Sequence, residues 1–334
     1  MTDWRPTATR DVLALRAALF AHARTFFADR GVLEVDTPVV VNAPVTDIHI
    51  HSARVQFAEE PTGIGARPCF LHTSPEYAMK RLLACGSGDI FQICHVVRGF
   101  ERGRQHNAEF TLIEWYRIGF SLQRLMSEVD TLVRHLLGNV AFSFSSERLT
   151  YREAFLRELH LDPLTASLED LVAAGRALGF AQDATATTPP GTEQARRDEL
   201  LELLTGAIVG PALGRSRLTY LHDYPASQAA LARLNPDDPR TALRFELYCQ
   251  GMELANGFQE LGSAAEQRTR FENDNAERRR RGLPAYDLDE RLLAALEAGL
   301  PECAGVALGF DRTLMLAAGA THIDQVLAFA TDRA

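Results

Sequence analysis

Arg98, Glu101, Arg102, Arg104, His106 and Glu109 crowd into one stretch, FQICHVVRGFERGRQHNAEFTLIEWYR, at residues 91–117. It reads as two alternating strands around a long polar loop. Period-2 alternation in the second strand puts Phe110, Leu112, Glu114 and Tyr116 on one face and Thr111, Ile113 and Trp115 on the other. A strand built only for a core would not place a carboxylate there, because an unpaired buried carboxylate costs on the order of several kcal/mol. The pattern points to a pocket for a ligand that is flat at one end and cationic at the other. Arg98, at the base of the loop, can clamp a phosphate bidentately; the alternative is a solvated hairpin tip.

Two later segments carry compatible chemistry. In GMELANGFQEL (251–261), Glu253 and Glu260 lie seven residues apart and would face opposite ways on a flat strand. A bulge at 255–257, around Gly257, would turn both inward. Paired carboxylates beside a phosphate clamp suit Mg²⁺, a hard ion that bridges to substrate phosphates. The alternative is two exposed glutamates on an edge strand. In GVALGFDRTLML (305–316), Gly305 and Gly309 allow close approach to the backbone, and Arg312 falls in the first turn of a helix. A cation there opposes the helix dipole and calls for an anion, either a bound phosphate or a local carboxylate such as Asp311. There is no GxxxxGK[ST] phosphate loop.

The elements that must position these residues follow from patterning. Residues 9–30 form an amphipathic helix ending at Gly31, and 32–41 are β-rich but interrupted by Pro38. Residues 71–86 predict a short strand, a Thr73/Ser74 cap, Pro75 at the first helical position and a helix ending at Gly86. A helix spans 121–138, and 150–215 are mostly helical, with 185–194 as the most loop-like stretch. Residues 217–225 return to strand, 244–261 give two strands joined at Gln250–Gly251, 264–282 a charged helix, and 303–320 a strand running into a helix. Hairpins with helices between them predict an α+β fold with one antiparallel sheet: a single domain over 1–334 with a helical insertion around 150–215. Arg278–Arg281 read as the solvated face of a helix. His49 and His51 read as structural or surface residues on a strand with no acidic partner, and Asp287, Asp289 and Glu290 as a helix start.

With 334 residues, 46% hydrophobic content and a net charge of −9, the chain can bury a large core and has no overall basic field for nucleic acid. Its five scattered cysteines, Cys69, Cys85, Cys94, Cys249 and Cys303, form no CxxC pair, which fits a reducing cytoplasm. No apolar run is long enough to span a bilayer.

Taken in order, Arg98, HNAEF (106–110), EWY (114–116), ELANGFQE (253–260) and GVALGFDR (305–312) resemble the catalytic core of class II lysyl-tRNA synthetases. GVLEVDTP (31–38) resembles the class II dimer-interface motif. Only some 30 residues precede it, too few for the anticodon-binding barrel of those enzymes. The truncated form is similar to the elongation factor P–(R)-β-lysine ligase family. The resemblance implies a class II synthetase catalytic fold, a homodimer and no anticodon binding. It further implies ATP- and Mg²⁺-dependent activation of (R)-β-lysine or lysine, and transfer to a lysine of elongation factor P. The alternatives are a truncated synthetase charging RNA or another carrier, and a non-catalytic module on the same scaffold.

The resemblance also implies roles. Arg98 and Arg312 would hold ATP phosphates, Phe110 and Arg312 would sandwich adenine, and Phe100, Glu101, Asn107, Glu253, Leu254 and Gly309 would complete the nucleotide site. Arg98, Arg312, Glu253 and Glu260 would form the catalytic set, with Glu253 and Glu260 as Mg²⁺ ligands. Ser74, Pro75, Glu76, Glu114, Tyr116, Glu260 and Ala307 would line the amino-acid site. Ala307 stands where lysyl-tRNA synthetases usually carry glycine, and its methyl implies a tilt toward β-lysine, worth about 1–3 kcal/mol. The family's Arg-x-Glu becomes Arg98-Gly99-Phe100-Glu101 here. Either Glu101 reaches the adenine through a shifted loop, or backbone alone reads it.

Overall fold

The computed structural model describes residues 4–56, 68–99, 101–138, 145–179 and 192–334. Phe100 and most of the 185–194 stretch lie outside the described residues. Thr192 accepts the Ala195 N–H and caps a helix, so the end of that stretch is a helix start and not loop.

The central hairpin forms as the alternation dictates. Strands β5 (Ile90–Val97) and β6 (Glu109–Ile118) pair antiparallel. They join β1 (Leu33–Glu34), β7 (Glu147–Thr150), β8 (Thr219–Pro225), β9 (Thr241–Cys249), β10 (Met252–Gln259) and β11 (Cys303–Gly309) in one eight-stranded sheet, ordered β1-β5-β6-β11-β10-β9-β8-β7. The six central strands are antiparallel, but β1 runs parallel to β5 and β7 to β8, so the sheet is mixed at both edges. Strands β2 (Val40–Val41), β3 (Arg54–Val55) and β4 (Cys69–Leu71) form a second small sheet. Gln250 and Gly251 both have positive φ, the two-residue turn that a right-twisted hairpin favours.

One face of the large sheet carries Ile113, Trp115, Phe245, Leu247, Val306 and Leu308. It packs on α1 (Arg10–Ala28), α3 (Leu122–Leu137) and α9 (Phe310–Ala318) in a single core. The other face is left for the polar rows described below. It is flanked by α2 (Glu76–Ala84), α7 (Ala264–Arg280) and α8 (Glu290–Gly299). Asp289 caps α8 by accepting the Arg291 and Leu292 N–H groups, as a helix-start cluster should.

The insertion builds its own small core from Tyr151, Phe155, Leu171, Leu201 and Leu204. These belong to α4 (Tyr151–Leu159), α5 (Leu168–Ala177) and α6 (Glu193–Leu204), and the core closes on Leu221, Tyr224 and Tyr248 of the sheet. Capping boxes at Thr150/Glu153 and Ser167/Asp170 start α4 and α5.

Two readings are corrected here, although His49 is exposed as expected. His49 is not in a strand and does have an acidic partner: its Nε2 lies 3.3 Å from Glu202 of the insertion. Arg278 is buried, donating to the Pro284 and Asp47 carbonyls and lying 4.1 Å from the Tyr286 ring centre. Arg281 pairs with Glu199 at 2.6 Å and with Glu277 at 2.9 Å. A charge run cannot reveal which guanidinium has carbonyls to satisfy it, since one comes from the turn after the helix, at Pro284, and the other from Asp47, far away in sequence.

Candidate active site

Register places the polar residues in rows across the sheet, because directly opposed residues share a face. One row runs Gln92, Glu114, Ala307, Asn256, Glu246 over β5, β6, β11, β10 and β9. The next runs Ile90, Tyr116, Gly305, Phe258, Arg244. Ala307 is therefore the floor between Glu114 and Asn256.

The expected bulge in β10 exists, one step earlier than foreseen. Glu253 opposes Tyr248 and Ala255 opposes Leu247, so Leu254 is the extra residue. That single insertion reverses the parity and puts Glu253 on the face of Asn256, Phe258 and Glu260. Gly257 does something else. A Cβ there would lie 2.5 Å from the Phe245 ring on the core side, so this glycine makes room for packing. A Cβ on Gly305 would lie 2.3 Å from the Tyr116 ring and 2.5 Å from a Glu260 oxygen. Gly309 has no such conflict: its nearest neighbour, the Leu254 carbonyl, would be at an ordinary 3.5 Å.

At one end of this face the carboxylates expected to line an amino-acid site come together. Ser74 accepts the Glu76 N–H (3.0 Å) and donates to Glu114 (2.8 Å), while the Tyr116 hydroxyl donates to the other Glu114 oxygen (2.8 Å). Pro75 sits just before the helix and not in it, and its carbonyl accepts the Ala78 and Met79 N–H groups. Lys80, one turn along α2, lies 2.7 Å from Glu76 and 2.6 Å from Glu260, almost wholly buried. Burial, and after it the nearby Glu76 and Glu260, push the Glu114 carboxyl up to about 8, against the pull of its two hydroxyl donors. Burial also raises Glu260, and Glu76 adds to this, while the Lys80 ammonium opposes both; the two carboxylates in turn hold Lys80 firmly protonated.

At the other end stand the arginines. Arg98 donates to the Thr73 carbonyl (3.3 Å) and its guanidinium lies 5.1 Å from the Phe110 ring centre. Arg312 donates to the Glu253 carbonyl (2.9 Å), to the Gln105 carbonyl (3.3 Å) and to His106 Nε2 (2.7 Å), and lies 3.4 Å from the Glu253 carboxylate. Burial and the Arg312 charge lower His106, which suits a neutral ring accepting that bond. Arg312 thus ties the hairpin loop to β10. Asp311 is not its partner: it is buried, pairs with Arg16 of α1 and accepts the Thr111 N–H (2.6 Å).

Asn107 is buried and its amide is engaged by Arg102 (2.7 Å), Thr331 (2.8 Å) and the Glu109 carbonyl (2.7 Å), a tie between loop and C-terminal segment. Glu101 is half-buried beside His106, whose ring it pulls up. Glu253 and Glu260 share a face but engage different cations, Arg312 and Lys80. The carboxylate that acts most on Glu253 is Glu246, which pushes it up after burial does. Among the described residues no group of three or more metal-ligating side chains is gathered. Sequence reasoning missed Lys80 and Glu246. The available signals were the i,i+4 spacing from Glu76 to Lys80 and the seven-residue spacing from Glu246 to Glu253 and on to Glu260.

The raised Glu114 makes a pH prediction. A cationic amine needs the ionised carboxylate, so below about 8 its binding must expel a proton from Glu114. The KM for an amine ligand in this pocket should fall as pH rises from about 6 to about 8, approaching roughly tenfold per unit. A KM flat over that window contradicts the assignment. Stability moves oppositely: a folded-state pKa above the unfolded one favours the fold at low pH, and that contribution is lost as pH rises through about 8.

Comparison with known proteins fits this geometry. The profile of the family described as tRNA synthetases class II (D, K and N) matches residues 1–333. The elongation factor P–(R)-β-lysine ligase of Vibrio vulnificus is 49% identical over 327 residues, covering 98% of each chain. That of Klebsiella pneumoniae is 48% identical over 331 residues, covering 99% of this chain and 98% of the relative. That of Proteus mirabilis is 49% identical over 334 residues, covering 100% and 99%. The chain belongs to the class II tRNA synthetases and, within that fold, to the family of elongation factor P–(R)-β-lysine ligases.

Proposed function

We propose that this protein activates (R)-β-lysine with ATP and transfers it to a lysine side chain of elongation factor P. The observation that carries this reading is the charge of the amino-acid pocket. Glu76, Glu114 and Glu260 face one Lys80 ammonium, so once a cationic ligand has drawn all three into the ionised form two negative charges remain, matched by a ligand with two ammonium groups. An amino acid with a single amine would leave one buried carboxylate unpaired, which is costly.

In the first step the substrate carboxylate attacks the α-phosphorus of ATP. The new O–P bond forms as the bond to pyrophosphate breaks. Arg98 and Arg312 neutralise the phosphates, and catalysis is positioning and electrostatic stabilisation without a protein nucleophile. In the second step the acceptor amine attacks the acyl carbon, the amide bond forms, and AMP leaves with loss of a proton. Phe110 offers a ring face for adenine, and Gly309 leaves space beside the bulged Leu254. Mg²⁺ would be held by Glu253, raised by burial and by Glu246, together with Glu246, which Arg244 and the Tyr248 hydroxyl orient; such a hard cation would draw negative charge off the phosphates. This moves the metal role from Glu260, committed to Lys80, to Glu246.

Leu33, Val39 and Val40 are large exposed apolar residues around the first motif, which supports a homodimer through that face. Among the described residues no helix is long and apolar enough to cross a membrane, and a cytoplasmic enzyme is the reading adopted. Purified protein given ATP and labelled (R)-β-lysine should transfer label to elongation factor P and not to tRNA. Label on tRNA alone would overturn the proposal in favour of RNA charging.

A further inference from the structure

We propose that Lys80 is a positioning residue for the amino-acid site, acting through Glu260 to set which ligands the pocket accepts. The inference rests on the reading of this pocket as the amino-acid site. Lys80 is almost wholly buried, and an ammonium without partners at that depth would be untenable. Its two partners come from separate elements. Glu76 is one turn earlier on α2, and Glu260 follows β10, so the ammonium links the start of the helix to the end of an interior strand.

The arrangement is selective about orientation. One Glu260 oxygen, Oε2, faces Lys80 at 2.6 Å, and its other oxygen lies over Gly305, where even a methyl would collide with it. One Glu76 oxygen, Oε1, is likewise held at 2.7 Å. Lys80 thus holds one oxygen of each carboxylate, and the Gly305 backbone lies against the other Glu260 oxygen, so the orientation of Glu260 is fixed from two sides. The groups facing Lys80 are Glu76 and Glu260, with Glu114 beyond them held by Ser74 and Tyr116. Without the ammonium, Glu76 and Glu260 would repel each other in a dry site and Glu260 would take up a proton. A neutral Glu260 makes a far weaker partner for a substrate ammonium. A lysine placed to neutralise surplus charge for folding alone would not need this geometry. One that sets ligand choice should betray itself in selectivity.

The test compares wild type with Lys80→Met, Glu260→Gln and the double variant, using ATP–pyrophosphate exchange. The ligands are (R)-β-lysine, and 3-aminohexanoic acid as the analogue lacking the terminal amine. Lys80→Met should raise the (R)-β-lysine KM by roughly ten- to a hundredfold, as for a lost charge-assisted hydrogen bond. The KM for ATP should stay within about twofold, and preference over the analogue should shrink by the same factor as the amino-acid KM rises. The double variant should be no worse than Glu260→Gln, because the effect of Lys80 on ligand choice runs through Glu260 while its contact with Glu76 holds the ammonium in place. An unchanged amino-acid KM, an equal rise for ATP, or additive losses in the double variant would overturn the inference. Should Lys80→Met alone fail to fold, the double variant carries the test: a KM equal to that of Glu260→Gln supports it, and a further loss overturns it. Absence of amino-acid-dependent exchange in wild type would instead refute the functional reading beneath it.

Discussion

Replacing Arg312 with alanine is expected to lower amino-acid-dependent ATP–pyrophosphate exchange on the order of 10²-fold or more, the loss typical of a preorganised electrostatic stabiliser. Two separate effects combine. The guanidinium is the cation at the Glu253 end of the site, and it also holds the hairpin loop through the Gln105 carbonyl and His106 Nε2. Its removal leaves Glu253, already pushed up by burial and Glu246, without its nearest cation. The loop would then lose its anchor to β10, so the KM for ATP should rise as well as kcat fall. Arg312→Lys should recover little, since one ammonium cannot reach a carbonyl, a ring nitrogen and a phosphate in the directions a planar fork does. Exchange within severalfold of wild type in Arg312→Ala would refute the assignment of this end of the site to phosphate.

Gly305→Ala is expected to damage the amino-acid end as severely by a different route. The added methyl would sit 2.3 Å from the Tyr116 ring and 2.5 Å from Glu260. Tyr116 is itself buried and held by its hydroxyl to Glu114, so it has no free volume to retreat into. Overpacking of this kind costs about 1–3 kcal/mol of stability. Misplacing Tyr116 and Glu260 by even about an ångström should cost roughly 10²-fold in kcat/KM for the amino acid. The KM for ATP should be nearly unchanged, because Arg98 and Arg312 lie at the other end. Thermal unfolding and exchange kinetics on the same preparation check both parts. A variant with normal amino-acid kinetics would show that Tyr116 and Glu260 do not form the ligand-facing wall.

Much of this was legible in the sequence, and the reasons differ by element. The β5–β6 hairpin declares itself because alternation with a polar residue on an otherwise apolar face has few explanations. The β10 bulge followed from parity: two carboxylates seven apart can share a face only if one residue is extra. Its position at Leu254 did not follow, because the glycine that suggested it, Gly257, serves Phe245 on the opposite side. Lys80 stayed hidden because a Lys-Arg pair on an amphipathic helix looks solvated until the sheet is known to bring Glu260 across it. Arg278 and His49 were misread for the same cause, partners more than 150 residues away in sequence. The parallel edge strands β1 and β7 are two and four residues long, too short to carry a periodic signal. Ala307 was legible only as a methyl beside glycines; its place between Glu114 and Asn256 needed the register.

The most direct measurement of the central claim is ATP–pyrophosphate exchange with (R)-β-lysine and α-lysine, run side by side on wild type and Ala307→Gly. The expected result is robust exchange with (R)-β-lysine, a kcat/KM for α-lysine lower by roughly 10–200-fold, the range one methyl can enforce, and a narrowed gap in Ala307→Gly. Exchange with neither amino acid, or a preference for α-lysine that Ala307→Gly leaves unmoved, would contradict it.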